Sequence, residues 1–318
     1  MKRLFIIIVL FVFGLSAISI FDNSDFKSYD KVVKKVKEES KKEKDNFIYL
    51  TNSNDNIDNL LKERFVVEEK VKYICEKTGF ITKDNKTYYV EDGNIVKGLK
   101  LINGKRYYFD FETGELIKED VKSVIDISSW QEDIDFESLK ESNLIDYVIV
   151  RLGYGTNNND NPILDNKFER NINELNRLNI PYGIYFYGYA SSIESSALEA
   201  NFTIEMIEKY NIKLSMPIFY DAELKEFNGT IYTNDIYNEV INNYIKILNE
   251  KGYKEVGVYS NLNMFLNGSL NTLDKKIPRW ISEYYYRCEY PDEYIGWQYT
   301  NSYKIPGTNQ LVDMNIFY

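Results

Sequence analysis

Residues 216–223, Met-Pro-Ile-Phe-Tyr-Asp-Ala-Glu, carry a short apolar run that stops abruptly at Asp221 and Glu223. The run reads as a buried β-strand delivering acids to its end. Alternate side chains of a strand share a face, so the two carboxyl groups are expected to point the same way. Like charges that close push at least one pKa upward, which keeps a carboxyl protonated near neutral pH and fit to act as a general acid. The plainer reading of an isolated Asp-x-Glu is that one acid caps the next helix and the other pairs with a cation. The chain contains no histidine. That excludes a Ser-His-Asp or Cys-His apparatus and a His-ligated metal, so acid/base chemistry has to rest mainly on carboxylates.

Working outward, similar apolar runs recur from Ser123 to the end of the chain. Candidate strands are Val124 to Ile127, Tyr147 to Arg151, Tyr182 to Tyr187, Pro217 to Tyr220, Val256 to Tyr259, Arg279 to Ser282, Ile295 to Tyr299 and Leu311 to Asn315. Helical periodicity is clearest in Asp165 to Leu178, Glu194 to Lys209 and Asn234 to Asn249. Alternation of strand and helix argues for a parallel sheet, and eight strands argue for closing it. The last three strands lie too close together for helical crossovers. The fold class expected is therefore α/β, an irregular TIM-like barrel with about five β/α units and three closing strands.

On that assignment Asp126 ends the first strand, Asp221 and Glu223 the fourth, and Asp313 the eighth. Strand C-termini share one rim in such a barrel, and active sites are built there. Trp130, Tyr154, Tyr187, Tyr189, Tyr284, Trp297 and Tyr299 fall near the same ends and suit the apolar C–H faces of sugar rings. Each also has a plain role as core or rim packing. Gln298 and Asn315 offer hydrogen bonds to hydroxyl or acetamido groups, or to local backbone.

A series of short segments runs in order through this region: Val-Ile-Asp-Ile-Ser-Ser-Trp-Gln at 124–131, Val-Ile-Val-Arg-Leu-Gly-Tyr-Gly at 148–155, Pro-Tyr-Gly-Ile-Tyr at 181–185 and Tyr-Asp-Ala-Glu at 220–223. It continues with Gly-Val-Tyr-Ser at 257–260, Trp-Ile-Ser-Glu-Tyr at 280–284, Trp-Gln-Tyr-Thr at 297–300 and Val-Asp-Met-Asn at 312–315. Together they resemble glycoside hydrolase family 25, muramidases that cleave the β-1,4 bond between N-acetylmuramic acid and N-acetylglucosamine in peptidoglycan. The resemblance implies an irregular β/α barrel over 121–318, Glu223 as general acid/base, and Asp221 as the acid that orients the substrate's 2-acetamido group for internal attack. It implies positioning or electrostatic roles for Asp126 and Asp313, and substrate contacts from Trp130, Tyr154, Tyr187, Tyr284, Trp297, Gln298, Tyr299 and Asn315. No cofactor and no metal is implied. Two alternatives stay open: the same machinery acting on chitin-like N-acetylglucosamine polymers, and a non-catalytic wall-glycan-binding protein, against which the four intact acids argue.

Upstream of the barrel, Lys2 and Arg3 precede an almost wholly apolar stretch from Leu4 to Ile20. Residues 1–20 read as an export signal or, if uncleaved, an N-terminal membrane anchor of about 17 residues, near the lower limit for a spanning helix. An extracellular or cell-wall-associated location follows, with membrane contact only through that segment. Residues 21–62 read as a charged spacer. Within 63–120 an internal repeat aligns Gly79 with Gly98 and Tyr88-Tyr89 with Tyr107-Tyr108, each followed by a glycine, Gly93 and Gly114. Each copy reads as turn, aromatic strand, turn, a small hairpin that has to lean on a neighbour. The copies resemble the cell-wall-binding repeats of extracellular bacterial proteins, with fewer copies and without the usual tryptophans, so 79–118 is open to two readings: a wall-polymer contact or a packing spacer. Residues 1–122 carry 23 Lys and Arg against 21 Asp and Glu, a balance of +2, while 123–318 carry 16 against 28, a balance of −12. An acidic barrel argues against nucleic acid as partner. Cys75 and Cys288 are the only cysteines; they fall in different segments, so two unpaired thiols are expected ahead of the alternative, a bridge between the two domains.

Overall fold

Eight strands of the computed structural model close into a ring: β1 (Lys122–Ile127), β2 (Tyr147–Tyr154), β3 (Tyr182–Tyr187), β4 (Ile218–Asp221), β5 (Val256–Asn261), β6 (Arg279–Ser282), β7 (Gly296–Lys304) and β8 (Leu311–Phe317). Neighbours from β1 to β7 are parallel and in chain order. β8 runs antiparallel to both β7 and β1 and shuts the barrel. The structure describes residues 8–12, 15–19, 78–156, 161–306 and 311–318. The spacer at 21–62, residues 63–77 and Cys75 lie outside the described residues.

Five helices fill the crossovers before β6: α1 (Phe136–Glu141), α2 (Phe168–Leu178), α3 (Ile193–Lys209), α4 (Asn234–Glu250) and α5 (Leu262–Leu266). Except in α2, which has no side-chain cap, their starts are fixed by capping side chains that satisfy otherwise orphaned N–H groups. Asp135 caps α1, Ser192 caps α3 and Thr233 caps α4. α2 buries Phe168, Ile172 and Leu175 at helical spacing, and α4 buries Tyr237, Val240, Ile241, Tyr244 and Leu248. Each such apolar side chain contributes about 2 kcal/mol on leaving water, which binds these helices to the sheet.

Inside the barrel the two-residue period of the strands decides the site. Val124, Ile149, Phe219, Trp280 and Phe317 form a buried apolar plug. One step of alternation beyond Val124 lies Asp126, and beyond Phe219 lies Asp221. The acids therefore stand on a dry floor. β8 corrects one expectation. Its connection from β7 is too short for a crossover, so it forms a hairpin and its C-terminus reaches the opposite end of the barrel from those of β1 to β7. Asp313 joins the acid rim because it lies near the start of β8, directly opposite Asp126.

The chain divides into two compact units, Met1–Val96 and Lys97–Tyr318. In the first, Ile8–Val12 pairs antiparallel with Leu15–Ser19. The strands Gly79–Lys83, Lys86–Glu91 and Asn94–Ile95 form a separate antiparallel sheet. Its first turn places Asp84 and Asn85 at positive φ, the conformation that suits a two-residue hairpin. No helix among the described residues is long and apolar enough to cross a membrane.

The second copy of the repeat, with strands Gly98–Ile102, Lys105–Phe109 and Leu116–Glu119, belongs to the unit that holds the barrel. The sequence places a module border near residue 120, yet this sheet packs on the barrel's outer wall. Tyr108 and Val121 are buried against Trp297 and Ile316, with Phe111 beside them. Arg106, itself buried, donates to Asp146 at 2.7 Å and to the Asn143 carbonyl at 2.7 Å. Asp146 also accepts from the Ser123 backbone N–H, at 2.8 Å. Gly98 adopts a positive φ, and a Cβ there would run into the Phe111 ring.

Candidate active site

Four carboxyl groups converge at the rim. Asp126 accepts two hydrogen bonds on one oxygen, from Gln298 Nε2 at 3.0 Å and Asn315 Nδ2 at 2.8 Å. Asp313 stands directly opposite it as its register partner on β8. Burial pushes both upward, and Asp313 further, because the Asp126 and Glu223 charges face it. Asp221 is raised well above the ordinary carboxylate range by burial, then by Glu223 and Asp126, with the Arg151 guanidinium opposing. Its Oδ1 is buried with no hydrogen-bond partner among the described residues. Glu223 lies past the end of β4 and is only half-buried, and burial and Asp126 raise it as well. The arrangement offers a proton donor next to an acid with an unsatisfied acceptor.

A second layer holds these acids in place. Gln298 Oε1 accepts from Tyr259 at 2.9 Å and Tyr284 at 3.1 Å, while Asn315 Oδ1 accepts from Trp280 Nε1 at 2.8 Å and its amide also donates to the Val124 carbonyl. Both amides are buried and employed within the protein. They position Asp126 and are not the free substrate donors expected from the sequence. Arg151 faces the acids from β2 and is itself clamped by Asp165 at 2.7 Å. It also donates to Ser129 at 2.9 Å, and Asp165 accepts from the Ser129 backbone N–H. That network sets the short 3₁₀ turn Ser129–Gln131, which presents Trp130 with 79% of its surface exposed.

The aromatic residues divide by strand parity. Tyr154, Tyr187 and Asp221 are successive register partners across β2, β3 and β4, so both tyrosines line the rim. Tyr187 packs on Tyr189 at 5.2 Å, and Tyr189 on Phe227 at 4.6 Å. Tyr284 is half exposed beside Gln298. Trp297 and Tyr299 do not belong to this group. Gln298 points into the barrel, so its two neighbours point out, where Trp297 is fully buried and Tyr299 packs on Phe111 at 4.9 Å. Their place in the expected site is corrected accordingly.

Arg151, Tyr259, Trp280 and Glu199 were not anticipated. Arg151 had a visible signal, a lone cation in an apolar strand two residues past inward-facing Ile149. Glu199 sits on the buried face of α3. It accepts from the Tyr189 backbone N–H at 2.8 Å and from Tyr220 Oη at 2.7 Å. Burial pushes it up to about 7. It braces the turn after β3 from behind the site.

The model of the family described as glycosyl hydrolases family 25 matches residues 125–308. This chain belongs to glycosyl hydrolase family 25. The matched span includes Asp126, Asp221 and Glu223, and Asp313 lies just beyond it, although the barrel brings it opposite Asp126. Among solved structures, the family 25 chain is similar to the modular autolysin LytC of Streptococcus pneumoniae, determined in complex with a synthetic peptidoglycan ligand. Identity is 32% and the TM-score 0.62, over 76% of this chain and 58% of that one. This chain thus aligns with little more than half of that autolysin's length. A family 25 glycosyl hydrolase from Bacillus anthracis shares the fold at 22% identity and a TM-score of 0.52, over 62% of this chain and 88% of that one. The catalytic domain of an endolysin from bacteriophage P40 of Listeria monocytogenes does so at 22% and 0.53, over 62% and 93%. A search of curated protein sequences returns no match.

Proposed function

We propose that this protein is a peptidoglycan hydrolase that cleaves the β-1,4 bond between N-acetylmuramic acid and N-acetylglucosamine. The observation that carries the reading is the pairing of Glu223, half-buried with its pKa raised, with Asp221, whose buried Oδ1 has no partner among the described residues. Glu223 protonates the glycosidic oxygen as the bond breaks and later takes a proton from the incoming water. An acetamido N–H of the substrate supplies the partner that Asp221 Oδ1 lacks, which favours the charged carboxylate. Asp221 then orients the acetamido group so that its carbonyl oxygen attacks the anomeric carbon. Asp126, fixed by Gln298 and Asn315, offers negative charge to an oxocarbenium-like transition state, which gains more from it than the neutral ground state does. The apolar run after Lys2 and Arg3 supports an extracytoplasmic place of action, where peptidoglycan is found.

The test uses the full chain. Purified protein is incubated with peptidoglycan, the fragments are reduced with borohydride, and mass spectrometry identifies the new reducing ends. Ends on muramic acid with the native protein, lost by orders of magnitude in Glu223→Gln, are the expected result. Ends on glucosamine, or equal release by the variant, would overturn the bond or the proton donor.

A further inference from the structure

The segment that follows β6 carries three consecutive tyrosines, Tyr284, Tyr285 and Tyr286, and each leaves about half of its surface in water. Single exposed tyrosines are ordinary on any surface. These are distinguished by how firmly their backbone is held. Trp297 Nε1 donates to the Glu283 carbonyl at 2.7 Å, and the Glu283 carboxylate accepts from the Glu289 N–H at 2.7 Å, bracing the segment across itself. Tyr108 Oη, from the second copy of the repeat, donates to the Tyr286 carbonyl at 2.6 Å. The Tyr108 ring is buried and packs on Trp297 at 5.6 Å. Two indole and phenol donors from a buried aromatic cluster thus pin the ends of an exposed aromatic triplet.

The triplet is continuous with the acid rim. Tyr284 donates to Gln298 Oε1, and Gln298 in turn donates to Asp126. Beyond it, the rings of Tyr285 and Tyr286 pack on each other at 4.8 Å and 44°, forming a surface next to Tyr284. Tyrosine rings held in place offer flat apolar faces with polar edges and lose little freedom on contact. That chemistry matches sugar rings, which carry C–H faces edged with hydroxyls.

We propose that Tyr285 and Tyr286 form a platform for glycan units of the same strand that lie beyond the cleaved bond, and that Tyr108 is the positioning residue that holds it. The second repeat copy is then a wall of the active site. The inference rests on the proposed action on glycan strands and specifies which further part of the strand the protein holds. A platform of this kind serves long strands and is idle for a short oligosaccharide that fills only the cleavage site.

The experiment uses the full chain, isolated glycan strands and a tetrasaccharide of the same repeat. Tyr285→Ala combined with Tyr286→Ala removes exposed side chains and leaves the fold intact. It is expected to raise KM on long strands about tenfold with kcat within about twofold, and to leave the tetrasaccharide constants within about twofold. Tyr108→Phe keeps the ring on Trp297 and deletes only the donor. It is expected to raise KM on strands about threefold, and to add nothing once the two tyrosines are gone. That non-additivity separates positioning from general loosening. Strand affinity is measured in parallel with each variant in a Glu223→Gln background, so the platform is judged even without turnover. No cleavage by native protein would sink the hydrolase reading alone. Unchanged KM and unchanged strand affinity in the Tyr285/Tyr286 variant, or an equal loss on the tetrasaccharide, would overturn the platform, and full additivity of Tyr108→Phe would overturn its positioning role.

Discussion

Replacing Glu199 by Gln tests the electrostatics behind the rim at a position that touches no substrate. The carboxyl is 3% exposed, and its pKa rises from 4.5 to about 7 chiefly through desolvation. Because the folded-state value lies above the unfolded one, the folded chain holds an extra proton between about pH 4.5 and 7, and stability falls as pH rises through that window. The full cost by pH 8 is about 3 kcal/mol, from roughly 2.5 pKa units at 1.36 kcal/mol each. Glutamine has nearly the same shape. Its carbonyl keeps the Tyr189 N–H bond, and its amide donates to Tyr220 Oη, whose hydroxyl also accepts. It does not ionise, so the variant escapes the loss. The difference in melting temperature, variant minus native, should therefore grow by roughly 6 to 12 °C between pH 4.5 and 8 for a unit of this size. Thermal unfolding followed by circular dichroism at a series of pH values measures it directly. The raised carboxyls of the rim are common to both proteins and cancel in the difference. A flat difference across the series, or one that grows toward acid pH, would refute the assignment of a buried, neutral Glu199.

Asp126→Asn should lower turnover about a hundredfold or more, whereas Asp313→Asn, which keeps the shape of the side chain opposite Asp126, should cost about tenfold; steady-state rates on glycan strands compare them. Gly188→Ala sets a methyl group into the Tyr220 ring on the far side of the turn; overpacking of about 2 kcal/mol or more should lower the melting temperature and displace Tyr187 and Tyr189, read as a raised KM. A chain begun at residue 122 loses Tyr108, Phe111 and Val121 from the cover over Trp297 and Ile316. It should melt roughly 5 °C or more below a chain begun at residue 97, and bind a hydrophobic dye that the longer chain does not.

Period and length carried the barrel. The runs at 182–187 and 279–282 became strands with those same bounds, and the α2, α3 and α4 faces were legible because large apolar residues recur at helical spacing. Asp126 and Asp221 were legible because Asp126 interrupts an apolar run near its end and Asp221 stops one. What failed were properties that depend on partners far away in the chain. The direction of β8 follows from a hairpin with β7, and strand periodicity is blind to direction. Trp297, Gln298 and Tyr299 were grouped by adjacency although alternation sends only the middle one inward. Gln298 and Asn315 looked like free donors because Tyr259 and Trp280, which occupy their oxygens, lie 39 and 35 residues away. Glu199 gave no local cue at all, since its burial depends on Tyr220 and on the turn after β3.

The reversal of β8 also fixes where the chain enters and leaves the barrel. Phe317 pairs with Lys122, so both ends of the ring's backbone meet at the floor, facing away from the carboxyl groups. Anything fastened behind Tyr318, whether a bead, a dye or a surface linker, would hang from the underside and leave the mouth unobstructed. For a protein whose proposed substrate is an insoluble mesh far larger than itself, that makes the carboxy-terminal end the natural point for immobilisation, and attachment there should orient every molecule with its cutting face outward.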